Sequence, residues 1–142
     1  MVCYISIGTR ERWRSDRNQF PSEAIGNRVD GWAGERWVDV NNADVRTIMT
    51  NRVIVAKEMG CDAIEPDNMM VYNERNTGVS VTEADQIEYN TWFADLVHSY
   101  GMQVALKNTV ELVPILEPKF DFMVVEECHE WQECEVSYSF KR

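Results

Sequence analysis

The chain has 142 residues, with 14 Lys and Arg against 24 Asp and Glu, for a formal net charge of −10 at pH 7. That length suits one domain with a real core, and 44% hydrophobic residues argue against disorder. The charge excludes a phosphate-binding nucleic-acid surface and favours a cationic substrate or partner, and no apolar run approaches a membrane span.

Met1 leads at once into the strand-like run Val2-Cys3-Tyr4-Ile5-Ser6-Ile7, with no signal peptide before it, and Gly8 ends the run. So abrupt a start predicts a piece of a longer protein. From Thr9 to Asn41 the chain is polar, and Pro21, Gly26, Gly31 and Gly34 rule out a continuous helix. A structureless connection of this length is uncommon and more often functional than not. Its Trp13, Trp32 and Trp37 read as sugar-stacking platforms or as the loop's own small core, with the core as the default for each.

Asp44 then predicts a capped helix to Met59, in which Val45, Ile48, Met49, Val53, Ala56 and Met59 recur at helical spacing before Gly60 at the C′ position. Ala63 to Glu65 reads as the next strand, stopped near Pro66, which has no N–H for a ladder. Asp62, Glu65 and Asp67 crowd around it with Asn68, which serves a site or an ordinary capped turn. A loop from Met69 to Val81 holds Tyr72 and the turn-like Asn76-Thr77-Gly78. Thr82 with Asp85 has the form of a capping box, opening a helix whose Ile87, Ala94 and Val97 share a face, joined by Trp92, Phe93 and Leu96, before Gly101. A third strand, Gln103 to Leu106, ends in Lys107-Asn108, and a short helix from Val110 to Leu116 is cut off by Pro118. Phe120 to Val125 is the fourth strand, ending in Glu126-Glu127-Cys128. Strands alternating with helices predict an α/β fold with parallel strands and right-handed crossovers.

Cys3 and Cys61 sit in apolar strand-like settings, where a buried thiol is the default. Cys128 and Cys134, in a polar segment, suit a local disulfide in an oxidising compartment. With His129 they have a loose metal-binding look and would make a metal or redox module, but a convincing fourth ligand is lacking, so no metal and no cofactor are expected.

In a parallel sheet the strand ends all face one way, which gathers Asp67 and Asn68, Lys107 and Asn108, and Glu126. Two carboxylates flanking one cleft are the minimum for glycoside hydrolysis: one attacks or activates water and the other protonates the leaving oxygen. An ion-paired rim around Lys107 fits the same residues.

These segments carry a resemblance to glycoside hydrolase family 114, the endo-α-1,4-polygalactosaminidase group. It runs through Cys3-Tyr4-Ile5-Ser6-Ile7-Gly8, Gln19-Phe20-Pro21, Gly31-Trp32 with Gly34-Glu35-Arg36-Trp37, and Gly60-Cys61-Asp62 into Glu65-Pro66-Asp67-Asn68. It continues with Ala84-Asp85-Gln86, Tyr89-Asn90 with Trp92, Leu106-Lys107-Asn108, and Glu126 with Cys128 and Cys134, so that it covers essentially the whole chain. The resemblance implies a TIM barrel and cleavage of a cationic galactosamine polymer. It implies Asp67 as nucleophile and Glu126 as general acid/base of a retaining pair, with carboxyls about 5–5.5 Å apart. Trp37, Glu65, Asn68, Tyr72, Lys107, Asn108 and Trp131 complete the implied substrate site. Secretion is implied by the family as well.

Two departures stand out. Where the family has Asn-Glu-Gln-Cys, this chain has Val125-Glu126-Glu127-Cys128, and its Lys-Asn-Asp is Lys107-Asn108-Thr109 here, so weakened activity or altered specificity is expected. A full (β/α)8 barrel needs about 250 residues, so the expected fold is a partial barrel of four parallel strands in one domain, residues 1–142. Exposed sheet edges would favour self-association. The alternative reading is a truncated, inactive relative that at most binds aminosugar polymer.

Overall fold

In the computed structural model, which describes residues 1–132, 134, 135 and 140, the chain forms two sheets and three helices. In order these are β1 (Val2–Ser6), β2 (Thr9–Glu11), β3 (Ile25–Arg28), β4 (Glu35–Val38), α1 (Ala43–Glu58), β5 (Ala63–Asp67), α2 (Glu83–Ser99), β6 (Gln103–Lys107), α3 (Val113–Leu116) and β7 (Phe122–Val124). The larger sheet is parallel with order β1-β5-β6-β7, flanked by the helices, as in a partial TIM barrel.

Alternation along these strands sorts their two faces. Ser6 pairs with Asp67 and Tyr4 with Glu65, so these four side chains share one face with Lys107, while Ile5, Ile64, Val104 and Leu106 point the other way into the helices. The helices answer with apolar stripes: Val45, Ile48, Met49, Val53 and Ala56 on α1, and Phe93, Ala94 and Val97 on α2. The buried face of α2 also carries Gln86, Tyr89 and Asn90, while Ile87, Trp92 and Leu96 flank it half-buried, so the stripe is rotated from the one expected.

β5 continues through Pro66 to Asp67, beyond the expected stop. The Asp67 carbonyl accepts from Ile7 N–H at 3.0 Å, so odd-numbered groups of β5 face β1 and the Pro66 nitrogen faces β6. Pairing with β6 ends at Ile64 with Val104, so no ladder bond is lost at Pro66. The α1 cap also differs. Asn42, not Asp44, caps the start of the helix, its side chain accepting from the N–H groups of Asp44 and Val45. Thr82 and Asp85 form the expected capping box on α2. The turn after α3 passes through Pro118 as a single 3-10 turn (Glu117–Lys119), where a proline without N–H is tolerated at the start.

The segment from Thr9 to Asn41 is not a structureless loop. It folds as an antiparallel sheet of order β2-β4-β3, with Thr9 opposite Trp37 and Glu11 opposite Glu35. Trp37 and Val38 join the core, but Trp13 and Trp32 are 57% and 63% exposed, so the core reading holds for Trp37 and fails for the other two. The loop before α2 is fastened to this sheet by Asn27 N–H, which donates to the Thr77 carbonyl at 2.7 Å.

Cys3 and Cys61 are not free thiols but a disulfide joining β1 to the turn before β5, with Cα atoms 6.0 Å apart. Neighbouring parallel strands bring residues 58 apart in sequence within bonding reach. Replacing both with Ser is expected to lower stability by about 2–4 kcal/mol; a urea unfolding midpoint unchanged from the wild type would contradict this. Among the described residues no helix is long and apolar enough to cross a membrane. β1 and β7 are the outer strands of the parallel sheet, and Val2 and Tyr4 of β1 are exposed.

Candidate active site

At the carboxyl end of the parallel sheet one ammonium meets three acids. Lys107, 6% exposed, places Nζ 3.2 Å from Glu126 Oε1, 3.4 Å from Asp67 Oδ2 and 3.7 Å from Glu65 Oε1. Its position as the last residue of β6, between β5 and β7, makes this possible. Burial alone would lower the Lys107 pKa, but Asp67, then Glu126 and Glu65, outweigh it and hold the ammonium above its ordinary range. The Tyr4 ring lies 5.5 Å from Nζ.

Asp67 is held at both oxygens. Tyr4 OH donates to Oδ2 at 2.9 Å, and the Asn68 N–H donates to Oδ1 at 2.8 Å. Burial first, then the Asp67 charge and hydrogen bond, push the Tyr4 hydroxyl pKa up, so it stays a donor. Asn68 has φ 59°, a left-handed conformation that Asn tolerates, and its Nδ2 donates to Ser6 Oγ at 2.8 Å. Ser6 in turn meets Thr9 Oγ1, which donates to Glu35 Oε2 at 3.0 Å. Asn108 plays the matching part on the next strand: at φ 55°, its Oδ1 accepts the Glu126 N–H at 2.9 Å.

The strand ends are also fastened from behind. Tyr89 OH donates to the Ile7 carbonyl at 2.6 Å, and Asn90 Nδ2 to the Met69 carbonyl at 3.1 Å. Arg52 of α1 donates to the Ser6 carbonyl at 2.9 Å while its fork grips Asp16. A Cβ at Gly8 would stand 2.1 Å from the Asn68 carbonyl oxygen, so only glycine lets the turns after β1 and β5 approach this closely.

Beside these strand ends lies an open cleft of about 740 Å³, lined from both the parallel sheet and the small antiparallel sheet. Asp67, Asn68, Lys107, Asn108, Glu126 and Trp37 all face it. Glu65 does not line the cleft, although its carboxylate stands 3.7 Å from the Lys107 ammonium. Trp131 stands in an adjoining hollow with Glu126 and Glu127. Tyr72 does not line the cleft; its hydroxyl donates to Glu111 at 2.8 Å, which burial and that acid reinforce by raising its pKa.

Beyond the set expected from the sequence, Tyr4, Trp13, Trp32 and Glu35 are among the residues that line the cleft. Tyr4 was legible as the polar member of an alternating strand, on the face that Ser6, Glu65 and Asp67 share. Trp13 and Trp32 come from turns of the small sheet, and nothing local says that they face outward. Cys128 and Cys134 form the expected local disulfide, with Cα atoms 4.9 Å apart. Their sulfurs are bonded to each other, so neither stands as a thiolate ligand beside His129.

Comparison with known proteins agrees with this architecture. The family model described as glycoside-hydrolase family GH114 matches residues 1–142. Ega3 of Aspergillus fumigatus, solved as a complex with galactosamine, superposes with a TM-score of 0.94 at 34% identity, over 99% of this chain and 55% of that one. The glycoside hydrolase domain of PelA from Pseudomonas aeruginosa, as its E218A variant, superposes with a TM-score of 0.66 at 13% identity, over 86% of this chain and 48% of that one, a likeness of fold alone. No curated protein sequence matches the chain. The chain thus spans about half the length of the solved structures it resembles.

Proposed function

Because the chain belongs to glycoside-hydrolase family GH114, we propose that it is a glycosidase that hydrolyses α-1,4-linked galactosamine polymers through Asp67 and Glu126. The observation that carries this reading is the shared Lys107 ammonium, within 3.4 Å of both carboxylates, which stand at the ends of the strands on either side of its own. Two oxygens that touch one nitrogen are no farther apart than those two contacts laid end to end, which suits the ~5–5.5 Å spacing of a retaining pair.

The two carboxylates differ in the way their roles demand. Asp67 is fixed at both oxygens by Tyr4 and Asn68, as a nucleophile must be to present one oxygen to the anomeric carbon. The Glu126 carboxylate is 62% exposed and meets only Lys107 among the described residues, which suits a group that first gives and then takes a proton. Glu126 protonates the leaving oxygen while Asp67 forms the glycosyl-enzyme bond. It then takes a proton from the water that breaks that bond.

Three further features support the substrate. The net charge of −10 attracts a polymer of protonated amines. Exposed Trp13 and Trp32 stand at the cleft as stacking surfaces for sugar rings. The similar Ega3 was solved with galactosamine. Two disulfides fit an oxidising compartment and hence secretion. The test is release of soluble oligosaccharides from purified α-1,4-galactosamine polymer. Release by the folded chain is the expected result, and none would leave a family member that at most binds the polymer.

A further inference from the structure

Two buried acids face each other in the small antiparallel sheet. Glu11 of β2 and Glu35 of β4 are cross-strand partners, 2% and 7% exposed. Like charges directly opposite on neighbouring strands disfavour a sheet. Glu11 is answered by cations, with Arg14 Nε at 3.1 Å and Arg52 Nη1 at 3.5 Å. Glu35 forms no ion pair among the described residues. Its Oε2 accepts from Thr9, Oε1 meets no donor among the described residues, and the side chain lines the cleft together with Asp67 and Trp37.

From this geometry we infer that Glu35 is the carboxylate that receives the protonated amine of a hexosamine unit in the cleft, and so selects amine-bearing sugars over N-acetylated ones. The inference rests on the proposed galactosamine substrate and adds to it a residue that reads the amine. A carboxylate nine-tenths buried, with one oxygen free of any donor and no ion pair among the described residues, lacks the partner that such groups normally have. An ammonium supplies both the charge and the donor, and the neighbouring Trp37 ring adds an aromatic surface that cations favour. Burial holds the Glu35 carboxyl above its ordinary range, the Thr9 hydrogen bond opposes this, and Glu11 and Asp67 raise it further while Arg14 lowers it. A bound ammonium would reverse that penalty.

The rival reading is purely structural: Glu35 ends the chain of hydrogen bonds through Thr9, Ser6 and Asn68 and merely steadies Asp67. The two differ in what they do to sugars with and without a free amine. Calorimetric titration of α-1,4-galactosamine oligomers and their N-acetylated counterparts into the wild type and Glu35→Gln separates them. The wild type should prefer the amine form. Glu35→Gln should weaken amine oligomers by about 10–100-fold, the scale of a lost charge-assisted hydrogen bond, and leave acetylated oligomers unchanged. Glu35→Asp, which keeps the charge, should recover part of the preference. An equal loss for both sugars, or no loss for either, would overturn the inference in favour of the structural role.

Removing one of two opposed acids should also raise the melting temperature near pH 7. A carboxyl whose folded pKa is raised costs stability above that value and nothing below its unfolded value of about 4.3, so the gain should vanish in acid. Should Glu35→Gln not melt cooperatively, the wild type decides alone: amine oligomers must bind more tightly as pH rises through the carboxylate range, and a flat profile overturns the inference. Binding rather than turnover is read throughout. A chain that binds with amine preference but does not hydrolyse would refute the proposed activity and leave this inference standing.

Discussion

Exchanging Asp67 for Asn or Glu126 for Gln is expected to suppress oligosaccharide release from a galactosamine polymer by ~10²–10⁴-fold or more, with the fold intact. Both changes are nearly isosteric, and both side chains border an open cleft rather than the core, so melting temperatures should stay close to that of the wild type. The two losses should differ in kind. An aryl α-galactosaminide with a good leaving group needs no proton for its first step, so Glu126→Gln should recover much of that step, whereas Asp67→Asn should not. Recovery by the Asp67 variant instead would exchange the two roles. Full activity of either variant on the polymer would remove that residue from the mechanism.

Exchanging Lys107 for Met is expected to be the second large effect, and on two readouts. In the wild type its ammonium stands among Glu65, Asp67 and Glu126. Without it, three like charges face one another with no cation between them. Since the ammonium positions and screens both carboxylates, kcat/KM should fall by ~10²-fold and the fold should lose stability. Removing one partner of a fully buried pair costs about 3–5 kcal/mol. Glu126 is mostly exposed and water screens it, so about 2 kcal/mol is the expected loss here.

The pH dependence of stability checks the same contact. The folded chain holds the Lys107 proton more tightly than the unfolded chain does. The stabilisation is therefore complete below the unfolded value of about 10.4 and is lost as pH rises through the folded value above it. Wild-type protein should thus lose stability in strong alkali in a way that Lys107→Met does not. Parallel alkaline curves for the two proteins would show that the ammonium contributes little to the fold.

Much of the frame was legible in the order of residues. The stripe from Val45 to Ala56, the Thr82–Asp85 capping box and the glycines after α1 and α2 are signals confined to a few turns of chain, and the structure carries each of them. The polar residues at the strand ends follow from alternation within single strands, which is local too. Asp67, Lys107 and Glu126 needed only the further premise that parallel strands end on one side.

What tertiary structure decided is pairing between segments far apart in the chain. Cys3 finds Cys61 because β1 and β5 are neighbours in the sheet, a fact that no local pattern around either cysteine carries. The segment from Thr9 to Asn41 looked structureless because its strands are three or four residues long, too short for a period to emerge, and it is ordered by the register of β2, β3 and β4. That register sets Glu11 against Glu35 and turns Trp13 and Trp32 toward the cleft. The elements and the acids at their ends were written locally, because helix and strand periods act over a few residues. The Cys3–Cys61 disulfide and the opposition of Glu11 and Glu35 were decided only on folding, because each is a contact between segments that the chain order keeps apart.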